Sequence, residues 1–211
     1  VIGAIAAGNT CIIKPPRAAI HTYHVIEKII SETFNENYLA VLDEHSDNNE
    51  MLSYRYDYIF FTGGVEIGKT IARAAAEFLT PTTLELGGKS PCIVDKLSDV
   101  ETAAKRIAWG KFLNGGQTCV APDYLLLHDA VKEKFYKAFA KSVKEFYGNN
   151  PQDSADYPRI INGRHFNRLA ALIKDGDIIV GGQTDADTRY IAPTLIEIDS
   201  LDHPLMSDEI F

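Results

Sequence analysis

A carboxylate and a thiol in one stretch of the chain, residues 81–123, could carry out chemistry together. Glu85 stands in the apolar pattern TLEL and is followed at once by two glycines. Cys119 stands in a loop of glycines and polar residues with the sequence GGQTC. A positioned carboxylate can act as a general base, and a thiolate is a strong nucleophile. We therefore interpret Glu85 as a base and Cys119 as a nucleophile.

Each of these residue types also has a simpler interpretation. A cysteine is most often a small buried apolar residue, and we apply that interpretation to Cys11 and Cys92, which lie in strand patterns. A reactive thiolate needs exposure and nearby positive potential, such as backbone N–H groups, and Gly115 and Gly116 would let the backbone approach a substrate closely. Alternation alone would make Glu85 a solvated strand residue, but the glycines after it favour a partly buried general base.

The two motifs together carry a family resemblance. LELGGKSP, followed 34 residues after its glutamate by the cysteine of GQTC, resembles the aldehyde dehydrogenase superfamily, above all its class 3 branch of fatty and aromatic aldehyde enzymes. The likeness runs from GAIAAGNTCIIKP near the start of the chain to DEIF at its end. It implies oxidation of an aldehyde to a carboxylic acid. In that reaction Cys119 forms a thiohemiacetal and then a thioester, and Glu85 activates the water that hydrolyses the thioester.

The resemblance also implies a nicotinamide dinucleotide cofactor, NAD or NADP. Lys14 matches the family lysine on the adenosine ribose, and Gly63–Gly68 matches the turn and helix N-terminus that face the pyrophosphate. Glu209 and Phe211 match the residues that hold the nicotinamide ribose and ring. The residues predicted to contact the cofactor are Lys14, Thr62, Gly63, Gly64, Gly68, Leu86, Glu209 and Phe211.

One position departs from the family pattern and bears on the choice of cofactor. Many members have a glutamate where Arg17 stands, and that glutamate holds ribose hydroxyls and disfavours a 2′-phosphate. A guanidinium pairs with phosphate instead. We expect that NADP is accepted at least as well as NAD.

Two other classes of function remain open from the sequence. The segment GGVEIGKT, residues 63–70, satisfies the phosphate-binding pattern GxxxxGK[ST], follows a predicted strand and opens a predicted helix. CIVD at residues 92–95 could supply the acidic partner of such a P-loop nucleotide-binding protein. Against it, Glu66 would bring a negative charge into the phosphate loop. The second alternative is a non-catalytic fragment of an aldehyde dehydrogenase.

Strands and helices that alternate along the chain predict an α/β fold with a parallel sheet. Ser98 with Glu101 predicts a capping box at the start of one helix, and Asp129 is expected to cap the next. By the resemblance, residues 1–86 are part of a Rossmann-type NAD(P)-binding domain, and residues 87–211 are part of an α/β catalytic domain. The predicted strands are 10–14, 38–42, 58–61, 82–86, 124–127, 178–180 and 195–198.

Composition argues against several kinds of partner. A net charge of −8 over 211 residues disfavours a nucleic-acid or anionic-membrane surface. Three cysteines without a CxxC pair disfavour a disulfide framework or zinc site and favour a reducing compartment. Six histidines form no ligand set, so no metal site is predicted.

Expectations about location and assembly come from the chain and from the resemblance. No basic region of a signal peptide is visible, and the apolar opening is too short to span a membrane. We expect a cytoplasmic protein, with membrane attachment through a further tail left open. The resemblance implies a small fatty or aromatic aldehyde as substrate and a homodimer. It also places the chain at roughly the middle half of such an enzyme, so we expect this segment by itself to turn over little.

Overall fold

The chain folds into two compact units. The computed structural model describes residues 1–211, except for the side chain of Asp175. The first unit comprises Val1–Thr62 and Glu66–Glu85, and the second comprises Gly63–Val65 and Leu86–Phe211. The correspondence of these units to an NAD(P)-binding and a catalytic domain stays a prediction.

Up to residue 85, helices alternate along the chain with single strands, and these strands form two parallel pairs. The helices are α1 (Ile2–Ala6), α2 (Ile20–Thr33), α3 (Asn48–Leu52) and α4 (Val65–Glu77). The strands are β1 (Cys11–Ile13), β2 (Leu39–Val41), β3 (Ile59–Thr62) and β4 (Thr82–Glu85). β1 is parallel to β2, and β3 is parallel to β4. The register of the second pair places Thr62 opposite Glu85 at the carboxyl ends of their strands.

The core of the first unit is small. Its buried apolar side chains are those of Tyr23, Leu39, Ile71 and Ala75. Tyr23 faces inward from α2, and its hydroxyl donates to the Leu42 carbonyl oxygen at 3.1 Å. Val25 and Ile29, two other apolar residues of α2, are exposed. The reason is that at 3.6 residues per turn they lie about 160° and about 120° around the helix from Tyr23.

From residue 86 onward, one parallel strand pair is followed by smaller antiparallel pairs. The helices are α5 (Val100–Phe112), α6 (Lys132–Tyr147), α7 (Gly163–Leu172) and α8 (Pro204–Ser207). The strands are β5 (Ser90–Val94), β6 (Pro122–Leu127), β7 (Asp177–Val180), β8 (Thr184–Asp185), β9 (Tyr190–Ile191) and β10 (Leu195–Glu197). β5 is parallel to β6, whereas β7 pairs with β10 and β8 with β9 in antiparallel fashion. The predicted α/β class is confirmed.

The main core of the second unit lies where α5 and α6 pack together. Ala104, Ala108 and Phe135 are completely buried there. Buried side chains recur along one face of α6, and the polar one among them is satisfied because Ser142 Oγ donates to the Ala138 carbonyl oxygen at 2.9 Å. The remaining buried members of this core are Val94, Val100, Phe112, Val131, Ala138, Phe139, Val143, Tyr157, Tyr190 and Ala192.

Neither predicted N-cap residue caps its helix in the structure. The N-cap of α5 is Asp99, which accepts from the Thr102 N–H and, at 2.7 Å, from the Thr102 hydroxyl. Asp99 is the residue three positions before Thr102, so its carboxylate reaches the Thr102 N–H, whereas the expected box would have used Ser98 on the Glu101 N–H. A single 3-10 turn, Asp129–Val131, precedes α6, and His128 Nδ1 caps this turn by accepting from the Ala130 N–H at 3.1 Å. The N-cap of α6 itself is Val131, which makes no side-chain cap hydrogen bond, so Asp129 does not cap this helix.

Candidate active site

The predicted nucleophile, Cys119, follows a tight chain reversal at the end of α5. Three consecutive residues, Asn114, Gly115 and Gly116, have positive φ angles of 56°, 63° and 82°. A Cβ on Gly116 would lie 3.2 Å from the Lys111 carbonyl oxygen, so this left-handed position requires glycine. The turn by itself requires glycine at residue 116, and the expected role of the two glycines in admitting a substrate stays a prediction. Cys119 is free and exposed.

Gln117 anchors the same loop and had no role in the sequence interpretation. Its Nε2 donates to the carbonyl oxygens of Asn114 at 3.0 Å and Arg159 at 3.2 Å, and its Oε1 accepts from the Ile161 N–H at 2.9 Å. A carboxamide has a donor and an acceptor at one end, so it can tie together two backbone segments. Two of these partners lie 42 and 44 residues away along the chain, which leaves no local sequence signal.

Two glycines of the motif LELGGKSP lie against the cysteine loop and against Glu209. A Cβ on Gly88 would lie 3.3 Å from the Cys119 carbonyl oxygen, and a Cβ on Gly87 would collide with Glu209 Oε2. The Gly88 N–H donates to Glu209 Oε1 at 3.2 Å. Within the second unit, the structure thus brings together three predicted site elements: the turn that begins at Leu86, the loop of Cys119, and Glu209.

The predicted base, Glu85, is the last residue of β4 in the first unit. It lies beside Thr62, its register partner at the end of β3. Glu85 is exposed, so the expected partial burial is wrong for this structure. The physical reason is that β3 and β4 form a two-stranded sheet and Glu85 is at its very end. Its role as the base stays a prediction.

Two cations stand close together after β1. Lys14 is half-buried at the end of this strand, and its pKa is lowered by burial and by the nearby positive charge of Arg17. The Arg17 guanidinium donates to the Ser46 carbonyl oxygen at 2.8 Å. A lysine and an arginine held together in this way suit a phosphate-bearing ligand.

The residues predicted to face the pyrophosphate lie at the start of α4. Gly63 and Gly64 separate β3 from this helix of 13 residues, and a Cβ on Gly64 would meet nothing within 4 Å. Gly68 is buried inside the helix. A glycine turn that leads into a helix N-terminus offers free N–H groups to an anion. These donors fit the pyrophosphate of a dinucleotide, and the cations after β1, taken by themselves, fit a phosphate.

The segment GGVEIGKT does not form a P-loop. A P-loop lies between its strand and its helix, so that its backbone N–H groups cradle phosphates. Here α4 already begins at Val65, and both Gly68 and Lys69 lie inside it. Lys69 Nζ also donates to Glu66 at 2.7 Å, and this hydrogen bond lowers the pKa of Glu66. The P-loop alternative is therefore wrong.

The two residues predicted to hold the nicotinamide end lie on the last segment of the chain. Arg168 on α7 fixes this segment by donating to the carbonyl oxygens of Ile210 at 2.7 Å and Glu209 at 3.4 Å. Phe211 is partly exposed, with a φ of 48°.

A half-buried cation, Lys111, lies near these groups. Burial lowers the pKa of the Lys111 ammonium, the carboxylates of Asp123 and Glu209 act in the opposite sense, and the Lys89 ammonium lowers it further. None of these charged residues except Glu209 was part of the sequence interpretation.

Among the residues that the structure describes, no group of three or more His, Cys, Asp or Glu side chains is placed to hold a metal ion. None of the helices formed by these residues combines the length and the apolar character that crossing a membrane needs.

Comparisons with known proteins cover the whole chain. The model of the aldehyde dehydrogenase family matches residues 1–211. The chain is 47% identical over 214 residues to the 4,4′-diaponeurosporen-aldehyde dehydrogenase of Staphylococcus aureus, covering all of this chain and 47% of that protein. It is 46% identical over 213 residues to the rat (Rattus norvegicus) aldehyde dehydrogenase, dimeric NADP-preferring, again covering 47% of the relative.

A solved structure agrees with these matches. The substrate-bound state of Staphylococcus aureus AldH has a TM-score of 0.93 and 46% sequence identity, and the match covers 99% of this chain and 46% of that one. The chain thus spans about half the length of the curated relatives it matches.

Proposed function

This chain belongs to the aldehyde dehydrogenase family, and we propose that it takes part in the oxidation of an aldehyde to a carboxylic acid with NAD or NADP. The observation that carries the proposal is the exposed thiol of Cys119. Cys119 follows a left-handed turn, and Gln117 ties its loop to a distant segment. The backbone of this loop lies against Gly88, whose N–H donates to Glu209.

Cys119 supplies the nucleophile. Its thiolate adds to the carbonyl carbon, so that a C–S bond forms and the carbonyl oxygen becomes an oxyanion. The backbone N–H of Cys119 can donate to that oxyanion. When bound, the dinucleotide supplies the acceptor for the hydride that the thiohemiacetal carbon loses. The acyl group then remains on the sulfur as a thioester.

Glu85 releases the product. Its carboxylate takes a proton from water, and the resulting hydroxyl adds to the thioester carbon. The C–S bond then breaks, which gives the carboxylic acid and returns the thiol. Exposure at the end of β4 supports this role, because the base must meet water. Overall, one water is consumed and the aldehyde loses two electrons.

The cofactor would be held by the cations after β1, by the glycine turn before α4, and by the last segment of the chain. Lys14 and Arg17 suit a ribose and its phosphate, and the N–H groups after Gly63 suit the pyrophosphate. Glu209 and Phe211 would hold the nicotinamide ribose and ring. The NADP preference in the name of the rat relative supports the acceptance of NADP.

An apolar aldehyde, fatty or aromatic, is the proposed substrate. Three large apolar side chains between residues 109 and 120 are exposed: Trp109 by 57%, Leu113 by 49% and Val120 by 76%. Exposed apolar groups on the same stretch of chain as the nucleophile support a substrate with an apolar chain or ring. A higher kcat/KM for short polar aldehydes than for long or aromatic ones would contradict this.

Replacing the base separates the two halves of the reaction. Glu85→Gln should still produce about one NAD(P)H per thiol in a burst, because acylation needs only Cys119, but its steady rate should fall by roughly 100-fold or more. Cys119→Ser should abolish the burst. Glu77→Gln, another exposed carboxylate of the first unit, is the matched control. Unimpaired steady turnover by Glu85→Gln would refute the role of this residue.

We also propose that the protein is a cytoplasmic homodimer. The rat relative is named dimeric, and the three cysteines are free, as in a reducing compartment. Light scattering that gave a monomer, or recovery of the protein from a secreted fraction, would contradict these proposals.

A further inference from the structure

Within the second unit, a buried ion pair, Lys89 with Asp123, links the motif LELGGKSP and the strand after the Cys119 loop to the last segment of the chain. Lys89 lies four residues after Glu85, and Asp123 lies four residues after Cys119. Lys89 Nζ and Asp123 Oδ1 are 2.5 Å apart, and the two side chains are 21% and 3% exposed. Neither residue has been given a role in the reaction above.

All the hydrogen-bonding capacity of the Lys89 ammonium is used. Besides Asp123, it donates to the carbonyl oxygens of Leu205 and Asp208, each at 2.8 Å. An ammonium group has three donors, and each of them here has an acceptor. Two of these acceptors lie on the segment that carries Glu209, 116 and 119 residues from Lys89 along the chain.

Asp123 completes the link from the other side. Its Oδ1 accepts a hydrogen bond from the Lys89 ammonium, while its Oδ2 accepts one from the Ile210 N–H at 2.8 Å. Glu209 therefore has both chain neighbours fixed by the pair: Lys89 binds the carbonyl of Asp208, and Asp123 binds the amide of Ile210. From this fixed backbone, the Glu209 carboxylate reaches the Gly88 N–H.

The energetics favour a geometric role for this pair. Desolvation of two charges offsets much of their attraction, so a buried ion pair adds little stability compared with apolar side chains of similar size. A buried ion pair does fix the relative placement of the segments it joins, because each charged group must lie at hydrogen-bonding distance from its partners. In this pair, all the partners beyond the two charges are backbone atoms around Glu209.

We propose that Lys89 and Asp123 are positioning residues. They hold Glu209, and with it the nicotinamide end of the cofactor site, next to the turn that begins at Leu86 and the loop of Cys119. The inference rests on the proposed function for the identity of the cofactor. The placement of the segment 205–211 by the ion pair can be tested without any cofactor.

The first measurement is hydrogen exchange of peptides spanning residues 205–211 in the protein without ligand. Lys89→Met and Asp123→Asn should both speed exchange of this segment. The first removes two hydrogen bonds to its backbone, and the second removes the charge that holds the Lys89 ammonium and strengthens the bond from the Ile210 N–H. Lys132→Met is the matched control, since it breaks another partly buried ion pair of the second unit, with Glu197. Unchanged exchange in the Lys89 and Asp123 variants, or an equal effect of the control, would overturn the proposal.

The second measurement compares two reactions of Cys119. Hydrolysis of p-nitrophenyl acetate uses the thiol and water but no dinucleotide, whereas aldehyde oxidation needs the nicotinamide in place. In Lys89→Met and Asp123→Asn, the ratio of aldehyde oxidation to ester hydrolysis should fall about tenfold or more, with a raised KM for the dinucleotide. Lys89→Arg, which keeps the charge, should recover part of the ratio.

The outcomes separate this inference from the proposed function. Parallel loss of both reactions would show a general structural defect and would overturn the positioning role. A wild-type protein that hydrolyses the ester but oxidises no aldehyde would instead refute the proposed function. In that case, the exchange measurement still decides whether the ion pair places the segment 205–211.

Discussion

Arg17 carries a positive charge that its observed hydrogen bond does not neutralise. Its guanidinium donates to the carbonyl oxygen of Ser46, a neutral acceptor, at 2.8 Å. Its charge acts on Lys14, whose pKa is lowered by burial and then by Arg17. Two adjacent cations attract a 2′-phosphate, which carries up to two negative charges, more strongly than a ribose hydroxyl.

A charge reversal at this residue should change the cofactor preference. We expect Arg17→Glu to weaken binding of NADP⁺ by about tenfold or more, because it removes a charged hydrogen bond to phosphate, and to change NAD⁺ binding less. Dissociation constants from calorimetric titration would measure both. Lys28→Glu on the exposed side of α2 is the control. A wild-type protein with a clear preference for NAD⁺ would contradict the expectation.

At the scale of the element, the start of α5 depends on one carboxylate. Asp99 accepts from the N–H and the hydroxyl of Thr102, and these hydrogen bonds hold the pKa of Asp99 below its usual range. Such a group stabilises the fold most at pH values above its unfolded pKa, near 4. That stabilisation is lost as the pH falls through the lower folded pKa.

Two neighbouring substitutions distinguish the observed cap from the predicted one. Asp99→Ala should lower the urea midpoint of unfolding at pH 7, because it leaves an N–H of the first turn without its partner. Ser98→Ala, which alters the residue of the expected capping box, should leave the midpoint unchanged. The difference between Asp99→Ala and wild type should shrink when unfolding is repeated near pH 3. A larger effect at Ser98 than at Asp99 would show that the capping box is used after all.

At the scale of the whole molecule, the two units differ in how much apolar surface they bury. The first unit has a core of four buried apolar side chains, and several of its large apolar residues are exposed, among them Ile12, Phe60 and Leu79. The second unit contains a core of 13 buried residues centred on α5 and α6. Because apolar burial is the dominant favourable term in folding, the second unit should be the more stable.

Hydrogen exchange of the whole chain tests this difference. Amides in β1 and β2 should exchange faster than those in α5 and α6, because units with few buried apolar contacts open at lower free energy. The exchange should be followed by mass spectrometry from seconds to hours. Equal protection across both units would mean that they unfold together as one cooperative structure.

Local features could be predicted from the sequence because they depend on residues close together along the chain. The alternation of strands and helices follows from apolar periodicity, and the loop before Cys119 follows from its glycines. The N-cap residue of a helix was predicted less well, because neighbouring residues compete for that place. Ser98 and Asp99 are both good capping residues, and local pattern alone did not decide which carboxylate or hydroxyl meets the first turn.

The sequence by itself therefore determined the family, the α/β class and the motifs that carry the thiol and the carboxylate. Only the tertiary structure decided that Glu85 is exposed and that GGVEIGKT belongs to a helix rather than a phosphate loop. It also revealed Gln117 and the pair of Lys89 with Asp123. Apart from Asn114, which Gln117 contacts within its own turn, their partners lie between 34 and 119 residues away, and a hydrogen bond across such a separation exists only once the chain has folded.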